Sequence, residues 1–331
     1  MTNAGAEKVL KSMIDIYPYA DIFSLVDFLN DEDRKSVLNG KYAETSFIQN
    51  LPFAKNNFRN YLPLFPKAIE SFDLSEYSLI ISSSWAVAKG VKKHKNQMHI
   101  SYCYTPIRYA WDLYDEYTAT LKQPKKFLVQ KTLKYIRQWD IRTLDRVDYF
   151  IADSKFVQER IKRIYKREAL VVYPPVNIDK FTLHHDKEDF YLTASRLVPY
   201  KKTKLIVEAF NDMPGKRLVV IGGGEEYEEI KKMAKANIEV LGYQNDSILK
   251  SNMQRAKAFI YAAVEDFGIV PIEAMACGTP VIALNHGGTK ETVIPDVNGV
   301  HFDKQDKDSI IIAIERFEKL KFDAVEVRES T

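Results

Sequence analysis

Two glutamates eight positions apart, Glu265 and Glu273, bracket the string EDFGIVPIEAMACGTP (265–280), and their surroundings decide what two carboxylates can do there. The run before them, AKAFIYAA (256–263), is apolar, rich in β-formers and bounded by charge, as expected of a buried parallel strand. Gly268 supplies a tight loop, Pro271 suits the first position of a helix, and Gly278 suits the residue just past its end. A strand, a glycine loop and a helix N-terminus together present free backbone N–H groups and a positive dipole end to an anion. Glu273, placed in the first helical turn, can accept both hydroxyls of a ribose. Glu265 falls at the carboxyl end of the strand, where open α/β sheets bind ligands. Taken singly, Glu273 can be a helix-terminus acid and Glu265 a solvated loop residue. Together with the loop they are the parts that a nucleotide-sugar site needs.

Cations suited to a diphosphate lie upstream. In SRLVPYKK (195–202) Arg196 can grip phosphate with two N–H groups, and Lys201, five positions on, offers a compact point charge at the same loop mouth. The alternative is two exposed cations after a strand. Gly222, Gly223 and Gly224 form a turn that lets backbone approach a ligand closely, although any tight strand-to-helix loop favours glycine. Leu241-Gly242-Tyr243-Gln244 follows another strand and offers an aromatic surface, or is simply a strand end. In the first half, HISYCYTPIRYAWD (99–112) crowds aromatic and polar groups together. Arg108 there is placed to meet a phosphate or to pair with Asp112 four residues on.

Alternating strand and helix patterns must position these groups. Strands are predicted at 20–26, 78–82, 99–104 and 148–152, then at 189–194, 217–222, 238–241, 256–263, 280–284 and 299–302. Helical periodicity is clear at 6–16, 155–165, 202–210, 225–236 and 308–319, with Ser154 a suitable cap for the second. Such alternation implies doubly wound parallel sheets. The polar stretch after Tyr173-Pro174-Pro175-Val176 breaks the periodicity, which sets a linker at 174–188 between domains at 1–173 and 189–331.

Composition narrows the classes. A chain of 331 residues exceeds one ordinary core, and a formal charge of +3 gives no case for nucleic acid. Cys103 and Cys277 have no metal-like spacing and read as reduced core thiols of a cytoplasmic protein. Between Leu121 and Arg146 there are eight Lys or Arg against two acids, interleaved with apolar residues at helical spacing. That helix either packs its apolar face on a sheet or also lies on an anionic membrane. Asp31-Glu32-Asp33 has the form of a metal-holding D-x-D, but its charged run reads as a surface helix start, so no metal is expected.

The 265–280 string, with the strand 280–284 and the loop Asn285-His286-Gly287-Gly288 behind it, resembles the E-x7-E signature of retaining family 4 glycosyltransferases. That resemblance implies an α/β fold of the GT-B type: two Rossmann-like doubly wound domains facing across a cleft. It implies a catalytic set of Arg196, Lys201 (the family's R-x4-K), Glu265 and Tyr104. Donor contacts would come from Gly5, Gly223, Tyr243, Gly268, Ile269, Val270 and Glu273, and acceptor contacts from Thr105, Arg108 and Trp111. The 99–112 segment is most similar to bacterial mannosyltransferase-like enzymes of O-antigen or capsule synthesis. The implied reaction is metal-independent transfer of a hexose, with mannose from GDP-mannose as the donor group, to a glycan or polyprenyl-diphosphate-linked acceptor. No cofactor is implied, and the expected place of work is the cytoplasm or the inner face of the cell membrane.

The chain also departs from that pattern. Tyr104 and Trp85 stand where relatives often carry histidine, and Ala4 replaces the first glycine of a GGAE loop that a strand normally precedes. The C-terminal KFDAVEVREST stops where relatives continue into helices that cross back, so the expectation is a chain truncated at both ends. Two other readings follow: a non-catalytic or degraded nucleotide-sugar-binding fragment, and a nucleotide-sugar epimerase.

Overall fold

The computed structural model describes residues 5–331 apart from residue 120. The chain divides into two compact units, one ending at Pro175 and the other running from Val176 to Thr331.

In the first unit the order is α1 (Gly5–Ile16), β1 (Phe23–Ser24), α2 (Asp31–Leu38), β2 (Glu44–Thr45), β3 (Leu79–Ser84), β4 (Met98–Cys103), α3 (Lys125–Arg142), β5 (Tyr149–Ala152), α4 (Lys155–Tyr165) and β6 (Ala169–Val171), with short helical turns between. The strands form two parallel sheets, β1-β2 and β3-β4-β5-β6. Only Phe23 and Ser24 of the predicted strand 20–26 pair, because β2 is itself only two residues long. Neither β2 nor β6 carries enough alternating residues to be seen in advance. α4 starts where Ser154 accepts from the Val157 N–H, 3.1 Å away, as its cap position requires. Asp31, Glu32 and Asp33 open α2, with Asn30 capping the Asp33 N–H at 2.7 Å, so the D-x-D run serves the helix dipole. Ala4 lies outside the described residues.

The second unit contains β7 (Glu188–Ala194), α5 (Thr203–Asn211), β8 (Leu218–Ile221), α6 (Tyr227–Met233), β9 (Ile238–Gly242), α7 (Asp246–Arg255), β10 (Ala256–Tyr261), α8 (Ile269–Ala276), β11 (Val281–Leu284), β12 (Gly299–Phe302), α9 (Lys307–Phe317) and α10 (Ala324–Glu329). All its strands are parallel, in the order β12-β11-β10-β7-β8-β9. Two apolar layers cover it. Leu192, Phe259 and Ala283 face one, and Tyr191, Ala258, Ile260 and Ile282 face the other. Burial on both faces explains why its strands read as continuous apolar runs. α7 escaped the periodicity because Asn252 and Met253 are its only fully buried residues. Residues 176–187 are not a free linker. Phe181 sits in the second unit's core, and the Lys187 ammonium donates to the Gln254 carbonyl and the Thr279 hydroxyl, both at 2.8 Å.

Candidate functional site

Sheet order locates the first candidate. From β7 the chain winds outward through β8 and β9, whereas β10 returns to the other side of β7 and winds away through β11 and β12. The β7–β10 neighbourhood is therefore the switch point, and side chains at the carboxyl ends of these two strands are positioned for a ligand. Lys201 follows β7, Tyr261 ends β10, and Glu265 lies in the loop four residues beyond it. The Lys201 ammonium reaches the Glu265 carboxylate at 2.7 Å and the Tyr261 hydroxyl at 3.1 Å. Burial works against the charge on Lys201, but Tyr261 and Glu265 beside it raise its pKa, so it remains a cation. Burial and then the Glu265 carboxylate push the Tyr261 phenol upward, which keeps it neutral. Tyr261 had no signature in the sequence beyond its place at a strand end.

Glycines set the surrounding loops. A Cβ on Gly222 would stand 1.8 Å from the Ser195 carbonyl, and one on Gly224 would stand 2.3 Å from that of Leu197. The Leu197 N–H donates to the Gly223 carbonyl at 2.9 Å, and the Gly222 N–H to the Gly242 carbonyl at 2.8 Å. The Arg196 loop, the triple-glycine loop and the Gly242–Tyr243 turn are thus laced side by side. Arg196 itself is exposed, and no partner for its guanidinium is recorded among the described residues. Tyr243 is 84% exposed, with Gly223 beside its Cβ.

On the β10 side, Gly268 (φ +88°) caps α8 without a side chain, so it leaves the first N–H groups, at Ile269 and Val270, uncapped by its own atoms. The helix begins at Ile269, two residues before the position expected from Pro271. Pro271 is its third residue, still in the turn whose N–H groups have no intrahelical partner. Glu273 is therefore the fifth helical residue and not part of the first turn, and it is buried. Gly278 (φ +74°) follows the C-cap as expected. The Gly288 N–H donates to the Glu265 carbonyl at 2.8 Å, which fixes the loop that carries Glu265.

The first-half candidates lie in the other unit. Gly5 opens α1. Tyr104 is nearly buried against Val9 and Tyr102, and its hydroxyl donates to the Ala6 carbonyl at 3.0 Å and lies 3.0 Å from the Ser83 hydroxyl. Burial pushes its pKa up, so this group gives up no proton near neutral pH. Its surroundings are those of a packing residue, which speaks against the catalytic part expected of it. Thr105 accepts from Arg160 at 2.7 Å. Asp112 holds Arg160 at 2.6 Å and Arg163 at 2.7 Å, two cations from α4 that the Arg108–Asp112 reading did not include. The Trp111 indole donates to Asp140 at 2.8 Å and so serves an interior network. Both cysteines are buried, and burial pushes Cys277 to about 11.

Comparison with known proteins adds to this geometry. Residues 176–330, nearly the whole second unit, match the family model described as Glycosyl transferases group 1. An uncharacterized glycosyltransferase of Methanocaldococcus jannaschii is 30% identical over 169 residues, covering 49% of this chain and 47% of that protein. A GDP-mannose-dependent alpha-(1-6)-phosphatidylinositol monomannoside mannosyltransferase of Mycolicibacterium smegmatis is 31% identical over 141 residues, 36% of each chain. The chain spans about half the length of the curated relatives it matches. Among solved structures, Anabaena HepE in complex with UDP and glucose superposes with a TM-score of 0.67 at 19% identity, covering 99% of this chain and 90% of that one. Such a likeness shows the fold, which is α/β of the GT-B type with two Rossmann-like units.

Proposed function

We propose that this chain is a retaining hexosyltransferase that takes mannose from GDP-mannose and passes it to a lipid-linked or oligosaccharide acceptor in surface polysaccharide synthesis. The observation that carries this reading is the Lys201–Glu265–Tyr261 cluster at the switch point of the second sheet, with the Gly268-capped start of α8 three residues after Glu265 in the chain. As the bond to the sugar breaks, negative charge grows on the departing diphosphate. Lys201, Arg196 and the N–H groups of Ile269 and Val270 stabilise it there without a metal. Glu265 orients sugar hydroxyls, Glu273 meets the ribose, and Tyr243 rests on the base. With no protein nucleophile at hand, the acceptor attacks from the face that the leaving diphosphate vacates, and that diphosphate assists removal of its proton. The mannosyltransferase name of the Mycolicibacterium relative supports the choice of sugar and nucleotide.

α3 supports the lipid-linked acceptor. Its solvent face carries Phe127, Leu128, Tyr135 and Ile141 among Lys125, Lys131, Lys134 and Arg142, and its single carboxylate, Asp140, is buried. Exposed apolar groups within an all-cationic face suit anionic headgroups, which supports the reading of an enzyme working at the inner face of the cell membrane. No helix among the described residues is long and apolar enough to cross a membrane. A second reading, a nucleotide-sugar binder without turnover, draws on Tyr104, whose hydroxyl is occupied by Ala6.

A thermal-shift screen of nucleotide sugars tests the donor, since a ligand at 100 times its Kd adds about 2.7 kcal/mol to stability. GDP-mannose should give the largest shift, and Glu273→Ala should remove it. A larger shift with UDP-glucose would overturn the donor assignment. Binding without product, whatever acceptor is offered, would favour the second reading.

A further inference from the structure

Tyr261 ends β10 with its ring 3% exposed and stacked on Phe259, the ring centroids 6.2 Å apart. The register that sets Phe259 beside Leu192 brings Tyr261 level with Ala194, the last residue of β7. A ring locked into a core layer does not swing, so its hydroxyl is a fixed point at the strand ends. Glu265 differs. It lies on a loop, is 21% exposed, and has a long side chain that can turn to a new partner. Lys201 closes the short turn Pro199–Lys201, and Lys202 after it has φ +57°. Left-handed backbone at a residue other than glycine is strained, and such strain gathers at functional sites. An ammonium group has three donors. One meets Glu265 Oε1 at 2.7 Å and one meets the Tyr261 hydroxyl at 3.1 Å, which leaves one for a ligand.

We propose that Tyr261 is a positioning residue of the donor site, whose hydroxyl keeps the Lys201 ammonium aimed at the departing diphosphate while Glu265 turns to the sugar. This rests on the reading of Lys201 as the cation that meets the diphosphate and of Glu265 as the acid that meets the hexose. Those two duties compete while the side chains hold each other at 2.7 Å, so a bound donor has to divide the pair. Lysine carries its charge on a flexible four-carbon stem, and once Glu265 has turned only the Tyr261 hydroxyl fixes its direction. Direction matters because the charge on the diphosphate grows as the bond breaks, and a group misplaced by about 1 Å loses much of its effect. A phenol suits the task chemically. Burial and then the Glu265 carboxylate push its pKa up, so it stays neutral and accepts from the ammonium without cancelling its charge. A carboxylate in the same place would compete with the phosphate. The rings of Tyr200 and Tyr261, 5.4 and 5.6 Å from the ammonium, attract it as well but give it no direction.

The test is Tyr261→Phe in the full chain, which keeps the ring, its stacking and its attraction for the cation and removes only the hydroxyl. Turnover is followed as release of GDP from GDP-mannose, or of UDP from UDP-glucose if the thermal shift favours it, with water as the acceptor. The kcat should fall roughly tenfold with KM little changed, because the loss is felt where charge develops. In a Lys201→Met background the same change should have no further effect, since a positioning residue acts only through the group it positions. A packing role would instead lower Tm and cost the same turnover in both backgrounds. The second readout needs no turnover. In 15N spectra the Lys201 ammonium signal, identified by its loss in Lys201→Met, should be sharp in the parent and broadened by faster proton exchange in Tyr261→Phe. The proposal is overturned if kcat is unchanged, if the loss is equal in both backgrounds, or if the ammonium signal is unaltered. A signal that broadens in a chain that releases no nucleotide from either donor keeps the hold of Tyr261 on Lys201 and overturns the donor reading alone.

Discussion

Each unit contains a lysine–carboxylate pair of nearly the same length, and the two differ in what surrounds them. In the first unit Lys89 meets Asp140 at 2.9 Å with side chains 1% and 0% exposed. In the second, Lys201 meets Glu265 at 2.7 Å with side chains 13% and 21% exposed. Asp140 also accepts from the Trp111 indole and the Tyr165 hydroxyl, and Lys89 donates to the Asp140 carbonyl and lies within reach of Thr143. Every valence of the sealed pair is committed to the interior, so no ligand can draw on it. Lys201 has Tyr261 and Glu265, and a face still open at the strand ends. The same two functional groups thus serve folding in one place and are available for chemistry in the other.

Breaking the sealed pair should have the largest effect. Asp140→Ala strands a buried ammonium and should cost about 3–5 kcal/mol in the first unit, measured by urea unfolding. The double replacement Lys89→Met with Asp140→Leu should lose much less, because no charge is left unpaired. If Asp140→Ala were as stable as the parent, the two pairs would not differ in kind. The open pair should behave in the opposite way. Lys201→Met should lower kcat by about 10²–10³, the usual loss for one group that meets developing charge. Its unfolding free energy should fall by less than that of Asp140→Ala, because Glu265 is 21% exposed and water can reach it once its partner is removed. A large stability loss with little change in turnover would assign Lys201 to the fold.

How much of this was readable in advance follows the same division. The second unit was legible because strands buried on both faces announce themselves as apolar runs. Gly268 and Gly278 then punctuate a helix whose ends they fix with positive φ. Glu265 and Lys201 could be placed at strand ends from this alone, though not their mutual contact, which depends on β10 returning beside β7. Lys89 and Asp140 are 51 positions apart, on a short turn and a helix, and nothing in their flanking residues marks a pair. Trp111 and Thr105 read as acceptor contacts in the sequence, since aromatic and polar groups in a loop look alike whether they face a ligand or, as the Trp111–Asp140 and Arg160–Thr105 bonds do, an interior partner. The strand boundaries at 20–26 failed because edge strands of two residues are defined by tertiary pairing, not by pattern.

A smaller effect concerns a second sealed group in the first unit. His99 is fully buried between the Ser82 hydroxyl, at 2.9 Å, and the Arg146 carbonyl, at 2.8 Å. Burial lowers its pKa from 6.5 to about 4. Between pH 6.5 and pH 4 the unfolded chain binds a proton that the folded chain refuses, so stability rises with pH across that window and is lost as pH falls through it. The contribution should approach about 3 kcal/mol above pH 6.5. His99→Gln should flatten this part of the stability–pH curve, and an unchanged slope would show that other groups produce it.

The smallest predicted effect sharpens the contrast on the open side. Arg196 is exposed and held only through its backbone, where the Leu197 N–H is tied to Gly223. An exposed guanidinium is screened by water, so its hold on a diphosphate should be worth only about 1–2 kcal/mol, a factor of roughly 5 to 30 in Kd. Arg196→Ala should therefore weaken a nucleoside diphosphate by that factor in calorimetry, leave the free nucleoside almost unaffected, and lose much of its effect in 1 M salt. Lys201→Met, lying deeper and coupled to Glu265, should retain its effect at high salt. Equal losses for nucleoside and nucleoside diphosphate would remove Arg196 from the phosphate. Equal salt sensitivity of the two variants would mean that burial does not separate them, and the contrast between sealed and open pairs would then rest on Lys89 alone.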